Sequence, residues 1–347
     1  VGLRDAAVAL ERAVWTWAGS VVPRWEPRPG GGYDRRLLQA LSRRWQGREL
    51  DLDSPASLVD RCGWLKLHHH SELIRLCSDK LRVRDYVAFK GLGGLLVPLV
   101  GVYRSVGEID WDALPPKFVA KPNHSSQMVL FCRDAAVFDR RRAEARLRRW
   151  LLRNRSLLYA ETNYRGIPGR ILVEPLPGEE TPLVEHKVHC SCGEPFRIVT
   201  ILDRTDGRLT LSRNDLQWNR LPKPGVNPNT VEVSVPRPTY LDDLVELGRS
   251  LSEDFLRCRV DLVHADGRLW FNELTFFSEG GHLPRATPEF DRLEASTIDL
   301  STHGQYLRRH AAVTADLERW LSERPERAEG AAPETREEAF ARLPTAP

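Results

Sequence analysis

Two apolar segments that meet at Asp266-Gly267 constrain this chain more than any other feature. Arg259-Val260-Asp261-Leu262 stands on one side of the turn and Phe271-Asn272-Glu273-Leu274-Thr275 on the other. Side chains alternate between the two faces of a strand, so one face of such a hairpin is apolar and the other charged. A three-residue loop, Ala265–Gly267 with Gly267 in the left-handed position, pairs His264 with Arg268 and Asp261 with Phe271. Glu273 then lies diagonal to Asp261 on the same face, ~7–8 Å away between backbones. Arg259, Phe271 and Thr275 share that face. Two carboxylates so placed can hold Mg²⁺ between them and leave positions for phosphate oxygens. Without a metal they repel, so neutralising either is expected to leave stability within about 1 kcal/mol. A two-residue turn would put them on opposite faces and leave an edge hairpin with solvated charges.

The 347 residues suggest two domains or one multi-lobed unit, at ~150 residues per domain. Fractions of 41% hydrophobic and 29% charged exclude collagen-like, disulfide-scaffold and wholly disordered chains. A net charge of +3, from 51 basic and 48 acidic residues, gives no reason to expect a nucleic-acid or membrane partner. Only seven of the basic residues are Lys. Each is therefore informative, because a compact ammonium serves a point contact to phosphate differently from a planar guanidinium. The six Cys are scattered, and Cys190-Ser191-Cys192 lacks the second pair that a zinc site needs. His68-His69-His70 point in divergent directions on any regular element. No run reaches the ~18–20 apolar residues of a membrane span. Arg4, Asp5, Glu11 and Arg12 interrupt any secretory core. A reduced, cytoplasmic setting is the expectation.

Helical spacing over Leu3–Trp17 predicts a docked helix, followed by a Pro- and Gly-rich linker and a second helix over Tyr33–Trp45. More helix is expected over Ser57–Leu76 and Asp79–Lys90. Strands are expected over Leu95–Tyr103, Lys117–Lys121, Val129–Cys132 and Arg170–Glu174, with a helix bearing an Arg-rich face over Asp139–Asn154. Val184–Cys190 and Pro195–Leu202 read as a hairpin turning at Cys192-Gly193. A loop-rich stretch runs to Pro238, and Thr239 then caps a helix to about Phe255. Beyond Arg324 the chain reads as a mobile tail.

Three further constellations carry chemistry. Lys121, near the end of an apolar strand and before Pro122-Asn123-His124-Ser125-Ser126, can set an ammonium and backbone N–H groups around a polyphosphate. Ile171-Leu172-Val173-Glu174-Pro175-Leu176-Pro177-Gly178-Glu179-Glu180 ends an apolar strand at a carboxylate and a Pro-stiffened link. Such a link can offer backbone groups near Leu176 to an adenine edge and a carboxylate such as Glu179 to ribose hydroxyls. Lys80, Lys187, Arg197 and Arg204 each interrupt an apolar pattern.

Taken in order, these features resemble the TupA-like ATP-grasp family, named for teichuronopeptide biosynthesis. Ser78-Asp79-Lys80-Leu81-Arg82-Val83-Arg84-Asp85-Tyr86-Val87 is similar to its Asp-Lys … Val-Arg-x-Tyr-Val signature. Cys62-Gly63-Trp64-Leu65-Lys66-Leu67, Leu99–Tyr103 and Leu114–His124 resemble its other segments, and Arg259–Leu262 with Glu273–Phe276 its terminal pair. The likeness runs from about Ser57 to Gly281. It implies an α+β ATP-grasp fold, two α+β lobes with ATP between them, preceded by a helical N-terminal region.

On the matching positions, the resemblance implies that Lys80 and Lys121 contact ATP phosphates and that Glu174 through Leu176 form the adenine hinge. Asp261 and Glu273 bind Mg²⁺, with Thr275 where many relatives have a metal-binding Asn, and Arg259 faces the transferred phosphoryl group. The family's Gly-rich loop is replaced here by Ser125-Ser126-Gln127-Met128, whose Ser125 and Ser126 hydroxyls would have to serve the phosphates.

The expected activity is an ADP-forming carboxylate–amine ligase that makes an amide through an acyl phosphate, in cell-surface polysaccharide or natural-product biosynthesis. ATP and Mg²⁺ are its cofactors. Lys187 and Arg204, with Arg197, would hold an anionic acceptor. Its partners would be a small-molecule, sugar or peptide carboxylate and an amine. A kinase acting on a hydroxyl and a nucleotide-binding module without turnover are the rival readings. The expected boundaries are 1–56 for the helical extension and linker, 57–174 for the first two lobes, 175–300 for the C-terminal lobe and 301–347 for a C-terminal helix and tail.

Overall fold

A computed structural model describes residues 28–153, 155–178, 183–204, 208–225, 229–281 and 287–323. The expected helix over Leu3–Trp17, the tail beyond Arg324 and Glu179 lie outside the described residues.

The described residues begin with four helices, α1 (Gly32–Gln46), α2 (Leu58–His68), α3 (Glu72–Ser78) and α4 (Val83–Phe89). Helix is broken at His69-His70 rather than continuous over Ser57–Leu76. Ser57 and Ser71 each accept a backbone N–H with their side chains and start α2 and α3 separately. Asp79 likewise delays α4 to Val83, because its Oδ1 accepts the Leu81 N–H at 2.8 Å and fixes a turn over Lys80–Arg82.

A four-stranded sheet follows, formed by β1 (Gly101–Tyr103), β2 (Phe118–Pro122), β3 (Leu130–Cys132) and β4 (Ile171–Pro175) in the antiparallel order β1-β4-β2-β3. The expected strand over Leu95–Tyr103 is cut to its last three residues, and Gly93–Leu95 takes a 3₁₀ turn. Pro98 supplies no N–H to a ladder. Helix α5 (Arg140–Leu151) covers this sheet with Ala143, Leu147 and Trp150 and turns its arginines outward. The short α6 (Arg155–Tyr159) leads into β4.

The second sheet has six strands, β5 (Val184–Ser191), β6 (Glu194–Asp203), β7 (Leu209–Asn214), β8 (Thr230–Glu232), β9 (Arg257–Ala265) and β10 (Arg268–Thr275), in the order β10-β9-β5-β6-β7-β8. β7 and β8 lie in the stretch expected to be loop. β7 mixes Thr210, Ser212 and Arg213 with two leucines, too polar a pattern for hydrophobic alternation to reveal. Helix α7 (Leu241–Ser252) packs on one face of this sheet. Its N-cap is Tyr240 without a side-chain cap, in place of Thr239, while Asp242 and Asp243 sit in its first turn as expected. Helices α8 (Pro288–Ser296) and α9 (His303–Ser322) complete the unit. The largest core joins α2, α3, α4, α7 and α9 to the apolar face of this sheet, through Tyr86, Leu251, Phe255, Val260 and Leu262 among others.

The histidine run has a structural role. His69 Nδ1 lies 3.1 Å from His303 Nδ1, and the His69 and His310 rings pack at a tilt with centroids 5.2 Å apart, which joins the α2–α3 break to α9. Among the described residues no group of three metal-ligating side chains is found. Burial, and then neighbouring histidines, push His69 down to about 3, and burial pushes His310 down to about 4. Both rings are neutral in the fold and titrate near 6.5 when unfolded. The unfolded chain therefore binds more protons below pH 6.5, and stability present above that pH is lost as pH falls toward 4 and 3. His310→Phe is expected to remove about 1–2 kcal/mol of the stability loss between pH 7 and pH 5. Melting curves of both proteins at the two pH values check this.

Candidate functional site

The site is built on the polar face of β9 and β10. Asp266 and Gly267, with φ of 50° and 73°, form a two-residue turn that pairs Arg268 with Ala265, Leu269 with His264 and Phe271 with Leu262. The expected three-residue loop is thus corrected. Phe271 faces the core with Val260 and Leu262, not the charged side. Such a turn alone would separate the two carboxylates. A bulge at Asn272 restores them, because β10 gains one residue there and Glu273 falls directly opposite Asp261, with Thr275 opposite Arg259.

Asp261 is fully buried and accepts Arg259 Nε and Nη2, both at 2.6 Å, and Lys187 Nζ of β5 at 2.8 Å. Glu273 meets Lys80 Nζ at 2.8 Å and Arg259 at 3.9 Å. Burial opposes its ionisation, yet Lys80, Lys187 and Arg259 hold its pKa down to about 2. The same contacts outweigh burial at Lys80 and Arg259 and raise both. Mutual repulsion of the carboxylates is therefore not the governing term, contrary to the sequence expectation. Three cations already compensate the pair.

Arg259 also donates to Ser278 and Thr275 hydroxyls at 3.1 Å each, and the Thr275 hydroxyl reaches Glu273 at 3.4 Å. Lys187 bridges Asp261 to Glu185 at 3.2 Å, and Arg204, more than half exposed, meets Glu185 at 2.6 Å. Arg204 thus stands at the open end of the row, one carboxylate removed from Lys187.

The four-stranded sheet contributes from the other side. Lys121 on β2 pairs with Glu174 on β4 at 2.7 Å and lies 3.5 Å from Asn272 Oδ1 on β10. Glu174 also faces Arg84 of α4 at 3.6 Å. Lys80 donates to the Ser125 carbonyl at 2.7 Å, and its own backbone N–H to the Asn123 carbonyl at 3.1 Å. The two lysines of the expected phosphate set thus stand against Glu273 and Asn272 of one hairpin.

The loop without glycine takes the conformation glycine would favour: Gln127 has φ of 60°. Among the described residues the buried Ser125 hydroxyl has no hydrogen-bond partner, whereas Ser126 is half-buried. Leu176 is buried, and its N–H donates to the Lys117 carbonyl at 3.3 Å.

Sequence reading missed Glu185, His189, Arg257, Asn272 and Ser278. A signal was present for the first two. Glu185, Lys187 and His189 recur every second residue in an otherwise apolar strand, the same alternation that marked β9 and β10.

A family model described as TupA-like ATPgrasp matches residues 60–298, which span every residue of this cluster. The chain belongs to the TupA-like ATP-grasp family. No curated protein matches it. Solved structures similar to it include D-alanine–D-alanine ligase from Bacillus anthracis, 15% identical over 70% of this chain and 69% of that one, with a TM-score of 0.35. D-cycloserine synthetase DcsG is 16% identical over 75% and 78%, with a TM-score of 0.36. The ATP-grasp ligase PsnB, complexed with a phosphomimetic variant of minimal precursor, Mg and ADP, is 13% identical over 71% and 62%, with a TM-score of 0.31. The fold of this TupA-like chain is the ATP-grasp fold.

The donor set on β9 and β10 has the chemistry of Mg²⁺ ligands, while both Asp261 oxygens are engaged by Arg259 and Lys187 in this structure. It offers two carboxylates and a hydroxyl, all hard oxygen donors, and Mg²⁺ is commonly held by one or two carboxylates together with substrate phosphates.

Proposed function

We propose that this TupA-like chain is an ATP-dependent carboxylate–amine ligase that forms an amide through an acyl phosphate. The observation that carries the reading is the direct opposition of Asp261 and Glu273 beside Arg259, with Lys80, Lys121 and Lys187 converging from three other elements. Asp261 and Glu273, with Thr275, would hold Mg²⁺, which supplies charge neutralisation for the ATP phosphates.

Phosphoryl transfer needs positioning and charge compensation more than covalent help from the protein. Lys80 and Lys121 are the point charges for the phosphates, and the strand end at Glu174–Leu176 is the adenine side. A carboxylate oxygen of the substrate attacks the γ-phosphorus while the bond to the β-bridging oxygen breaks and ADP leaves with that electron pair. Arg259 faces the group in flight. The amine nitrogen then attacks the acyl carbon, phosphate leaves, and the nitrogen gives up a proton. Lys187 and, at the open end, Arg204 would hold an anionic acceptor. A cell-surface polymer precursor or a natural-product precursor fits this chemistry, in a cytoplasmic setting.

Hydroxylamine trapping tests the reading. With MgATP and a panel of carboxylates including uronic acids, amino acids and short peptides, a substrate is expected to yield ADP and a hydroxamate in equal amounts. A stable phosphate ester formed without any amine would assign a kinase instead. Bound nucleotide with no ADP release across the panel would assign a module without turnover.

A further inference from the structure

The polar face of the six-stranded sheet continues past Arg259. Arg257 lies two residues back on β9, and in register His189 of β5 stands opposite both Arg259 and Arg197 of β6. His189, Arg197 and Arg257 end in a narrow pocket roofed by α8, with Ser278 on its rim and an apolar wall that includes Val59 and Phe276. The rim is tied to the site already described, because Arg259 donates to the Ser278 hydroxyl.

The pocket is overcharged. Arg197 and Arg257 share one carboxylate, the fully buried Glu294 of α8. Arg197 reaches it through Nε, and among the described residues the terminal nitrogens of Arg197 have no other acceptor. Burial and the neighbouring Arg197, Arg259 and Arg257 hold His189 well below its usual range, so its ring is neutral and adds no competing charge. Two guanidiniums against one carboxylate leave one net positive charge in a mostly desolvated place, which a second anion can satisfy. Planar guanidinium favours a planar, two-oxygen ligand.

We propose that this pocket receives the carboxyl group of the carboxylate co-substrate, through Arg197 and Arg257. The inference rests on the ligase reading above. It locates the carboxylate one strand step, ~7 Å, from Arg259 and so beside the phosphoryl group to be transferred.

Acetate, with acetamide as its neutral isostere, is the probe, and saturation-transfer NMR on the full chain is the readout. Acetate is expected to bind the parent at least ~10-fold more tightly than acetamide, and Arg257→Met to abolish that preference. Arg197→Lys, which keeps the charge beside Glu294 but loses the planar fork, is expected to weaken acetate binding ~10-fold and serves if Arg257→Met does not fold. Equal binding of acetate and acetamide to the parent overturns the proposal, and so does undiminished acetate preference in a folded variant. Calorimetry with MgATP on the same samples separates the two readings. Absent nucleotide binding overturns the ligase reading whatever acetate does, whereas retained nucleotide binding with no acetate preference overturns only the pocket.

Discussion

Asp261→Asn is expected to lower carboxylate-dependent ADP release by at least ~100-fold, because on the proposed reading it removes a metal contact whose charge stabilisation matters most in the transition state. It is also expected to cost about 3 kcal/mol of stability with no nucleotide present. The side chain is fully buried between Arg259 and Lys187, and neutralising it leaves these two desolvated cations only the more distant Glu273 and Glu185. Asparagine keeps one acceptor oxygen, which places the cost at the low end of the range for a broken buried pair. Glu273→Gln is expected to lose a similar share of turnover and less stability, since Glu273 is partly exposed and meets one close cation, Lys80. Raising Mg²⁺ should partly restore ATP binding in either variant. Asp266→Asn is the control. It sits in the turn, tolerates the left-handed conformation, and should stay within about 0.5 kcal/mol of the parent. Unfolding curves and ADP release on the three variants check all of this. Parental turnover in Asp261→Asn would remove the carboxylate pair from the chemistry.

Lys80→Met is expected to uncouple nucleotide binding from folding. MgATP at a hundred times its dissociation constant should raise the parent's stability by ~2.7 kcal/mol through mass action. Lys80 connects Glu273 to the Ser125 carbonyl and is itself nearly buried, so methionine can fill its place while removing the ammonium. A tenfold loss of affinity would reduce the stabilisation at the same ATP concentration to ~1.4 kcal/mol. The substitution should also change the acid limb. Glu273 is held down to about 2 by its cations, so it contributes stability above its unfolded value near 4.5 that is lost as pH falls toward 2. Without Lys80 that loss should be smaller. Thermal melts with and without MgATP at pH 7, and without it between pH 5 and pH 3, report both effects.

How much could be read in advance differs between elements. The hairpin β5–β6 was visible because apolar residues flank Cys192-Gly193, and Gly193 takes the positive φ that such a turn requires. The order of Lys80, Lys121, Glu174, Asp261 and Glu273 along the chain, with the strands that carry the last four, was equally plain. The pairing of those charges was not. Nothing in the sequence near Lys187 says that its partner is Asp261, 74 residues away, because that contact comes from the placement of β9 beside β5. The break at His69-His70 also escaped prediction. Helical periodicity continues across it, and only the capping by Ser71 and the contacts of His69 with α9 stop the helix. The extra residue at Asn272 is the clearest case. Asparagine has no distinctive place in hydrophobic alternation, so a correct conclusion about the facing of Asp261 and Glu273 was reached from a wrong loop.

That extra residue makes the hairpin an odd–even device. Between Asp261 and Glu273 the turn and the bulge each shift the side-chain parity of β10, and the two shifts cancel. The bulge rather than the residue count sets the facing. Were Asn272 to pair in regular register, it would stand opposite Asp261, Glu273 would turn toward the core and Leu274 would come out among the lysines. Losing Asn272 together with the bulge would instead leave Glu273 directly after the core-facing Phe271 and still opposite Asp261. Relatives one residue shorter at this point therefore keep the same facing of the two carboxylates. The chemistry of this face is tied to that pairing, and the identity of the turn residues is secondary to it.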